Sequence, residues 1–277
     1  MTPALVVYLV FVIAPWLNTL RYSFFEWDGI GVAKWVGLGN YAAVFTDHEQ
    51  LASLKNAFGL IVFFSFIPIA LGLALAAVIG TSAGNRWKIS RTLIFLPQVL
   101  PLVAVGIAWR WIYESDGLVN QALRLVGLDH LTTSWLGDFT WAFPAVGVVG
   151  AWIGTGLCMI LFLSGVQKIE PSLYEAVRLD GGGKVREFFT ITLPGLRGEI
   201  AVAATITIIS ALASFDLVYV MTSGGPGDAT MVPGVAIYKL AFSYNKVGLA
   251  SALAVVLSLL VYGIVALVNY ASRSRDQ

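Results

Sequence analysis

Charge is scarce in this chain. Only 12% of its 277 residues are Asp, Glu, Lys or Arg, against roughly a quarter in an average soluble domain. The mean hydropathy is +0.81, and 58% of the residues are hydrophobic. A surface of that composition would aggregate in water, so lipid is the expected solvent for most of the chain. The net charge of +1 argues against the phosphate-neutralising surface that a nucleic-acid partner requires. Cysteine is nearly missing: Cys158 stands alone in an apolar run. Neither an internal disulfide nor a cysteine-based zinc site can be built from it. His48 and His130 lie in separate polar segments without metal-ligand spacing, and they read as solvated loop residues. The apolar runs contain no histidine, so an intramembrane acid–base enzyme lacks its parts. A P-loop is missing too. Gly183-Lys184 is the nearest approach, but Val185 follows and Arg178 occupies the first glycine position.

Long apolar runs are what the chain does have. A membrane helix needs about 20 such residues, and six stretches qualify: approximately 3–23, 56–80, 92–112, 142–166, 198–222 and 248–270. Prolines and glycines inside them (Pro68, Pro97, Pro101, Gly150) are tolerated where neighbouring helices re-satisfy the backbone. No run alternates with period two over about ten residues, as a barrel strand would. The first run has no basic residues before it and no small-x-small cleavage site after it. It is expected to be a retained helix, with the true start of the chain upstream. The expectation is one all-α membrane domain over residues 1–277, with six spans and no internal repeat.

Lysines and arginines near span ends indicate orientation. One set of loops holds ten: Arg86, Lys88, Arg91, Lys168, Arg178, Lys184, Arg186, Arg197, Arg273 and Arg275. The opposite set holds seven. The richer side is expected to be cytoplasmic, with both termini inside. Trp27, Trp35, Trp135 and Trp141 gather toward the other face, as in an aromatic belt. Its segments, about 24–55, 113–141 and 223–247, are long. Within the first, Thr46 to Asn56 reads as a short surface helix.

One polar insert, about 167–197, separates the fourth and fifth runs. Pro171 suits a first helical turn. Leu173, Ala176 and Val177 make a narrow apolar stripe at i, i+3 and i+4. Glu175 and Arg178 stand beside it, and Asp180 is near the end. Gly181-Gly182-Gly183 then supplies a stop, because glycine enters the left-handed cap at no steric cost. Val185, Phe188 and Phe189 repeat the stripe, and Pro194 is expected to end this second arm. The product is a helical hairpin at the inner surface. Its small residues admit a partner backbone and its charges set the register.

The spacing Glu175-Ala176, Gly181, then Ile191-x-Leu193-Pro194 resembles the EAA signature of permease subunits of bacterial ABC importers. Val177 and Gly182 stand where that family has alanines. Val36-Gly37-Leu38-Gly39-Asn40-Tyr41, Trp135-Leu136-Gly137-Asp138, and Phe215-Asp216-Leu217-Val218-Tyr219-Val220 with Gly224-Gly225-Pro226-Gly227 resemble its carbohydrate-uptake branch, the maltose and glycerol-phosphate type permeases. The resemblance implies the type I ABC importer permease fold. It implies that the segment of Glu175, Ala176, Val177, Asp180, Gly181 and Gly182 is a coupling helix docked in a cytoplasmic ATPase subunit. Partner subunits would then bind ATP and Mg, and this chain would carry no cofactor. The implied assembly includes a second, homologous permease subunit in a heterodimer and an extracytoplasmic solute-binding protein. Its implied place is the bacterial inner membrane and its cargo a sugar-like solute.

An ionisable group inside a span marks a pathway by default. Asp216 is the only acid well inside one. In a continuous fifth span it would lie roughly 6–9 Å from the outer end, at 1.5 Å per residue. Phe215, Tyr219, Trp152, Trp109, Asn56 and Gln98 are further pathway candidates, since aromatic faces stack on sugar rings and amides bond hydroxyls. For each of these alone, helix packing is the stronger reading. An ion-coupled secondary transporter or a channel is the rival, but it would carry more intramembrane ionisable groups.

Overall fold

The computed structural model describes residues 2–80 and 85–273, with side chains for residues 3–79 and 89–270. Of the basic residues used for orientation, Arg275 lies outside the described residues, and the side chains of Arg86, Lys88 and Arg273 are not described. The chain is mainly helical, and the only sheet among the described residues is one short hairpin.

Helix α1 (Pro3–Tyr22) is apolar up to Leu17 and buries none of its length. The hairpin β1 (Phe25–Glu26) and β2 (Lys34–Trp35) follows, antiparallel, with Phe25 opposite Trp35 and Glu26 opposite Lys34. A short α2 (Gly39–Thr46) leads to α3 (His48–Ile79). Asp47 caps α3 through its side chain, which accepts the N–H groups of Glu49 and Gln50. This corrects one expectation. Thr46 to Asn56 is not a separate surface helix, because the Asp47 cap starts a helix that runs on unbroken to Ile79.

The third apolar run is broken. Helices α4 (Asn85–Val99) and α5 (Leu102–Ile112) meet at a bend of 100°. Pro97 and Pro101 each lack a donor, and Leu100 precedes a proline, which disfavours the helical region there. The straight span expected over 92–112 is therefore two segments. Beyond it, α6 (Leu118–Leu125) is anchored by Asn120. Its Nδ2 donates to the Thr133 carbonyl at 2.9 Å and its Oδ1 accepts the Trp135 indole N–H at 2.9 Å.

Helix α7 (Ala142–Val166) is the central post, with 67% of its apolar window buried. It packs along α3 and also against α4. Small residues make this seam possible. A Cβ on Gly72 would lie 2.7 Å from the Cβ of Cys158, and one on Gly150 would strike the Phe64 ring. Helices α8 (Pro171–Leu179) and α9 (Lys184–Gly195) form the polar insert, and α9 meets α10 (Arg197–Leu212) at 69°. The second arm ends at Gly195, one residue past Pro194. The bend into α10 falls at Leu196.

The fifth run is broken as well. Helix α10 stops at Leu212, and a separate α11 (Asp216–Thr222) begins after Phe215. The continuous span over 198–222 is thus corrected, and with it the depth reckoned for Asp216. No proline or glycine marks this break. The neighbouring α12 (Pro233–Tyr238) decides it, since Gly234 packs so closely on Ser214 and Phe215 that a Cβ there would lie 2.7 Å from the Ser214 carbonyl. Last comes α13 (Val247–Arg273), packed on α10, α12 and the end of α1. In all, four helices are long and apolar enough to cross a membrane, and six segments if each bent pair is one span.

Candidate functional site

The polar insert folds as the hairpin its sequence predicts. Pro171 opens α8 with Glu170 at the N-cap. Asp180 is the C-cap, and Gly181 takes the left-handed conformation at φ +74°. The Gly181 N–H donates to the Arg178 carbonyl at 3.0 Å and the Gly182 N–H to the Val177 carbonyl at 2.8 Å. Together these two bonds complete a Schellman turn. Gly183 then caps α9.

Glu175, Ala176, Asp180 and Gly181 are exposed, with Val177 and Gly182 half-buried behind them. Leu179 is 90% exposed and Val185 72%. The hairpin tip therefore presents small and apolar residues ringed by charge.

Two side-chain ties join the arms. Arg178 Nε donates to Glu187 Oε1 at 2.7 Å, and its Nη2 reaches Oε2 at 3.5 Å. The hydroxyls of Tyr174 and Thr192 lie 3.0 Å apart. The bonded carboxylate of Glu187 holds the Arg178 guanidinium above its ordinary pKa, and Glu175 adds a smaller push. The sequence reading missed both ties. The available signal was an acid nine residues beyond Arg178, across a glycine turn. Behind the second arm an apolar groove of about 840 Å³ separates Val185, Phe188 and Phe189 from Ala70, Leu73 and Ala77 of α3.

A second candidate site lies at the broken fifth run. A cavity of about 280 Å³ is lined by Asp216, Phe215, Gln98, Thr207, Ser210 and Ser214, with Phe64 and Ile153 on its apolar side. The break aims the first turn of α11 into this cavity. Phe215 stacks on Tyr219 with ring centres 5.1 Å apart, and Tyr238 meets Tyr219 edge-on at 5.1 Å. Tyr238 in turn approaches Phe242, which is 75% exposed. Neither Tyr238 nor Phe242 was singled out by sequence, because both lie outside the apolar run that holds Phe215.

The remaining pathway candidates fall elsewhere. Trp152 and Trp109 pair edge-to-face at 5.6 Å, away from the cavity lining. The Asn56 Nδ2 donates to three carbonyls, those of Asp228, Ala229 and Met231, at 3.1, 3.3 and 2.9 Å. It thereby staples the Gly-Gly-Pro-Gly loop to α3. Among the described residues no group of three or more His, Cys, Asp or Glu could hold a metal ion.

Residues 69–275 match the family described as binding-protein-dependent transport system inner membrane component. A probable ABC transporter permease, YurN of Bacillus subtilis (strain 168), is 38% identical over 259 residues, covering 92% of this chain and 88% of that protein. The sulfoquinovosyl glycerol transport permease SmoG of Agrobacterium fabrum is 32% identical, covering 100% of this chain and 90% of its own. The trehalose/maltose transport permease MalF of Thermococcus litoralis is 34% identical, covering 89% and 82%. In three dimensions the chain superposes on a bacterial alginate ABC importer with a TM-score of 0.85 at 23% identity, covering 98% of this chain and 93% of the other.

Proposed function

The chain belongs to the family of binding-protein-dependent transport system inner membrane components, and on that premise we propose that it passes a sugar-like solute inward by alternating access driven by separate ATPase subunits. It is the permease component of such an importer, a multi-pass membrane protein. Relatives named for sugars support the cargo class. We assign six spans, namely α1, α3, the α4–α5 pair, α7, α10 and α13, with both termini in the cytoplasm. That puts the α8–α9 hairpin on the inner side of a bacterial inner membrane.

The observation that carries the reading is the hairpin itself. A Schellman turn at Gly181 projects Glu175 and Ala176 from an arm that buries nothing. Glu175, Ala176, Val177, Asp180, Gly181 and Gly182 would then form the coupling helix that enters a groove of the ATPase. ATP and Mg would be bound there, since this chain has no P-loop. An external solute-binding protein would deliver the cargo. Most of α1 buries nothing in its own chain, and that face favours a second permease subunit beside this one. Asp216, Phe215 and Tyr219 are assigned to the solute route.

Docking is tested by Glu175→Lys in the reconstituted importer. The expected outcome is a complex that assembles in the membrane and no longer couples ATP hydrolysis to uptake. Wild-type uptake with wild-type ATPase stimulation would refute the docking role.

A further inference from the structure

The structure assigns to Arg178 and Glu187 a positioning role: their ion pair fixes the docking arm α8 against α9, so that a push on Glu175 reaches the membrane segment α10. The inference rests on the reading that α8 docks an ATPase. Helix α8 buries none of its residues, and its helix–helix contacts of any extent run to the start of α9. No apolar core orients this arm. A hydrophobic stripe normally does that work for a short helix. Here the orientation is left to the turn at Gly181 and to two polar ties.

Of those ties the ion pair is the stronger. The Glu187 side chain is only 7% exposed, while that of Arg178 is 58% exposed. A carboxylate so buried needs a charged or hydrogen-bonding partner. Arg178 supplies two donors of one planar fork, at 2.7 and 3.5 Å. That geometry restrains direction as well as distance. The pair therefore differs from an ordinary surface ion pair, which both partners can leave for water. The Tyr174–Thr192 contact at 3.0 Å braces the arms a second time, one turn from the pair on each arm.

The far end of α9 is held rigidly. Leu196, at the bend into α10, is 0% exposed within the inner core cluster of Cys158, Met159 and Phe162. Lys168 bonds Glu199 of α10 at 2.9 Å. Helix α10 carries Thr207 and Ser210 to the cavity wall. A continuous mechanical line thus runs from Glu175 through the ion pair to the solute cavity, and its one polar joint lies between the arms. Loosening that joint would let the docking arm swing without moving α10.

The test uses the full importer reconstituted with its ATPase subunits, second permease and binding protein. Spin labels at Ser172 and Thr190, in a Cys158→Ala background, report the distance between the arms. Glu187→Gln is expected to broaden that distance distribution. It is also expected to raise ATP consumed per solute imported by about fivefold or more, the lower end of ordinary coupling effects. Arg178→Lys keeps the charge but loses the fork, and should fall between Glu187→Gln and wild type. The reversed pair, Arg178→Glu with Glu187→Arg, should narrow the distribution again and recover part of the ratio. A role in folding alone would lower protein level without changing ATP per solute. A wild-type ratio in Glu187→Gln beside an uncoupled Glu175→Lys overturns the brace alone. Normal uptake in Glu175→Lys brings down the docking reading and the brace with it.

Discussion

The N–H of Gly182 donates to the carbonyl of Val177 at 2.8 Å, and this bond closes the turn between α8 and α9. The turn requires Gly181 at φ +74°. A residue with a Cβ pays about 1–2 kcal/mol to enter that region. No atom lies within 4 Å of a Cβ built there, so the cost is conformational and not steric. Substitutions at Gly181 should therefore rank by backbone preference and not by size. Gly181→Asn is expected near wild type, and Gly181→Val well below it, in both uptake and thermal midpoint. Equal behaviour of Asn and Val would show that the left-handed turn is not needed.

Asp28 ties down the β1–β2 hairpin. Its Oδ1 accepts the N–H groups of Ile30 at 2.9 Å and Gly31 at 2.7 Å. These bonds, that to Ile30 first, hold its carboxyl below the ordinary aspartate value of 3.8. A group with a depressed folded pKa stabilises above its unfolded value and loses that contribution as pH falls through the folded value. The hairpin should thus be indifferent to pH between 7 and about 5 and loosen below about 4. Iodide quenching of Trp27, whose indole bonds the Gly31 carbonyl at 2.8 Å, reads this directly against a Trp27→Phe control. Asp28→Asn should raise quenching at neutral pH and flatten the acid limb. An unchanged acid limb in that variant would dismiss the Asp28 turn as its source.

Asp216 shares its cavity with hydroxyls and an amide, and no Lys or Arg lines that wall among the described residues. At roughly 8 Å and an effective dielectric near 20, a carboxylate repels an anionic solute by about 2 kcal/mol. Asp216→Asn is expected to raise uptake of acidic sugars relative to neutral ones by more than about tenfold, with complex assembly unchanged. Competition uptake with a neutral and a carboxylated sugar measures the ratio. An unchanged ratio would remove Asp216 from the solute route.

Much of this molecule was legible because its signals are local. Pro171, the stripe of Leu173, Ala176 and Val177, and the glycines from Gly181 specify a helix, a stop and a second helix within a few residues of each other. The 100° bend was legible in principle too, since Pro97 and Leu100-Pro101 mark it. Reading that stretch as one straight span let hydropathy override backbone chemistry.

Other features had no local signal. Asn56 looked like a solute-facing amide, yet its partners are the carbonyls of Asp228, Ala229 and Met231, far along the chain. Glu187 looked like one charge among several, and only the reversal at Gly181 brings it under Arg178.

Chain chemistry alone was enough for the helical class, the lipid-compatible runs and the turn of the α8–α9 hairpin, because composition, periodicity and glycine freedom act over a few residues. The break after Leu212, the cavity around Asp216 and the joint between Arg178 and Glu187 came only with tertiary packing. Each depends on a surface brought from elsewhere in the chain, Gly234 against Ser214 above all, and no periodicity within α10 or α11 records that approach.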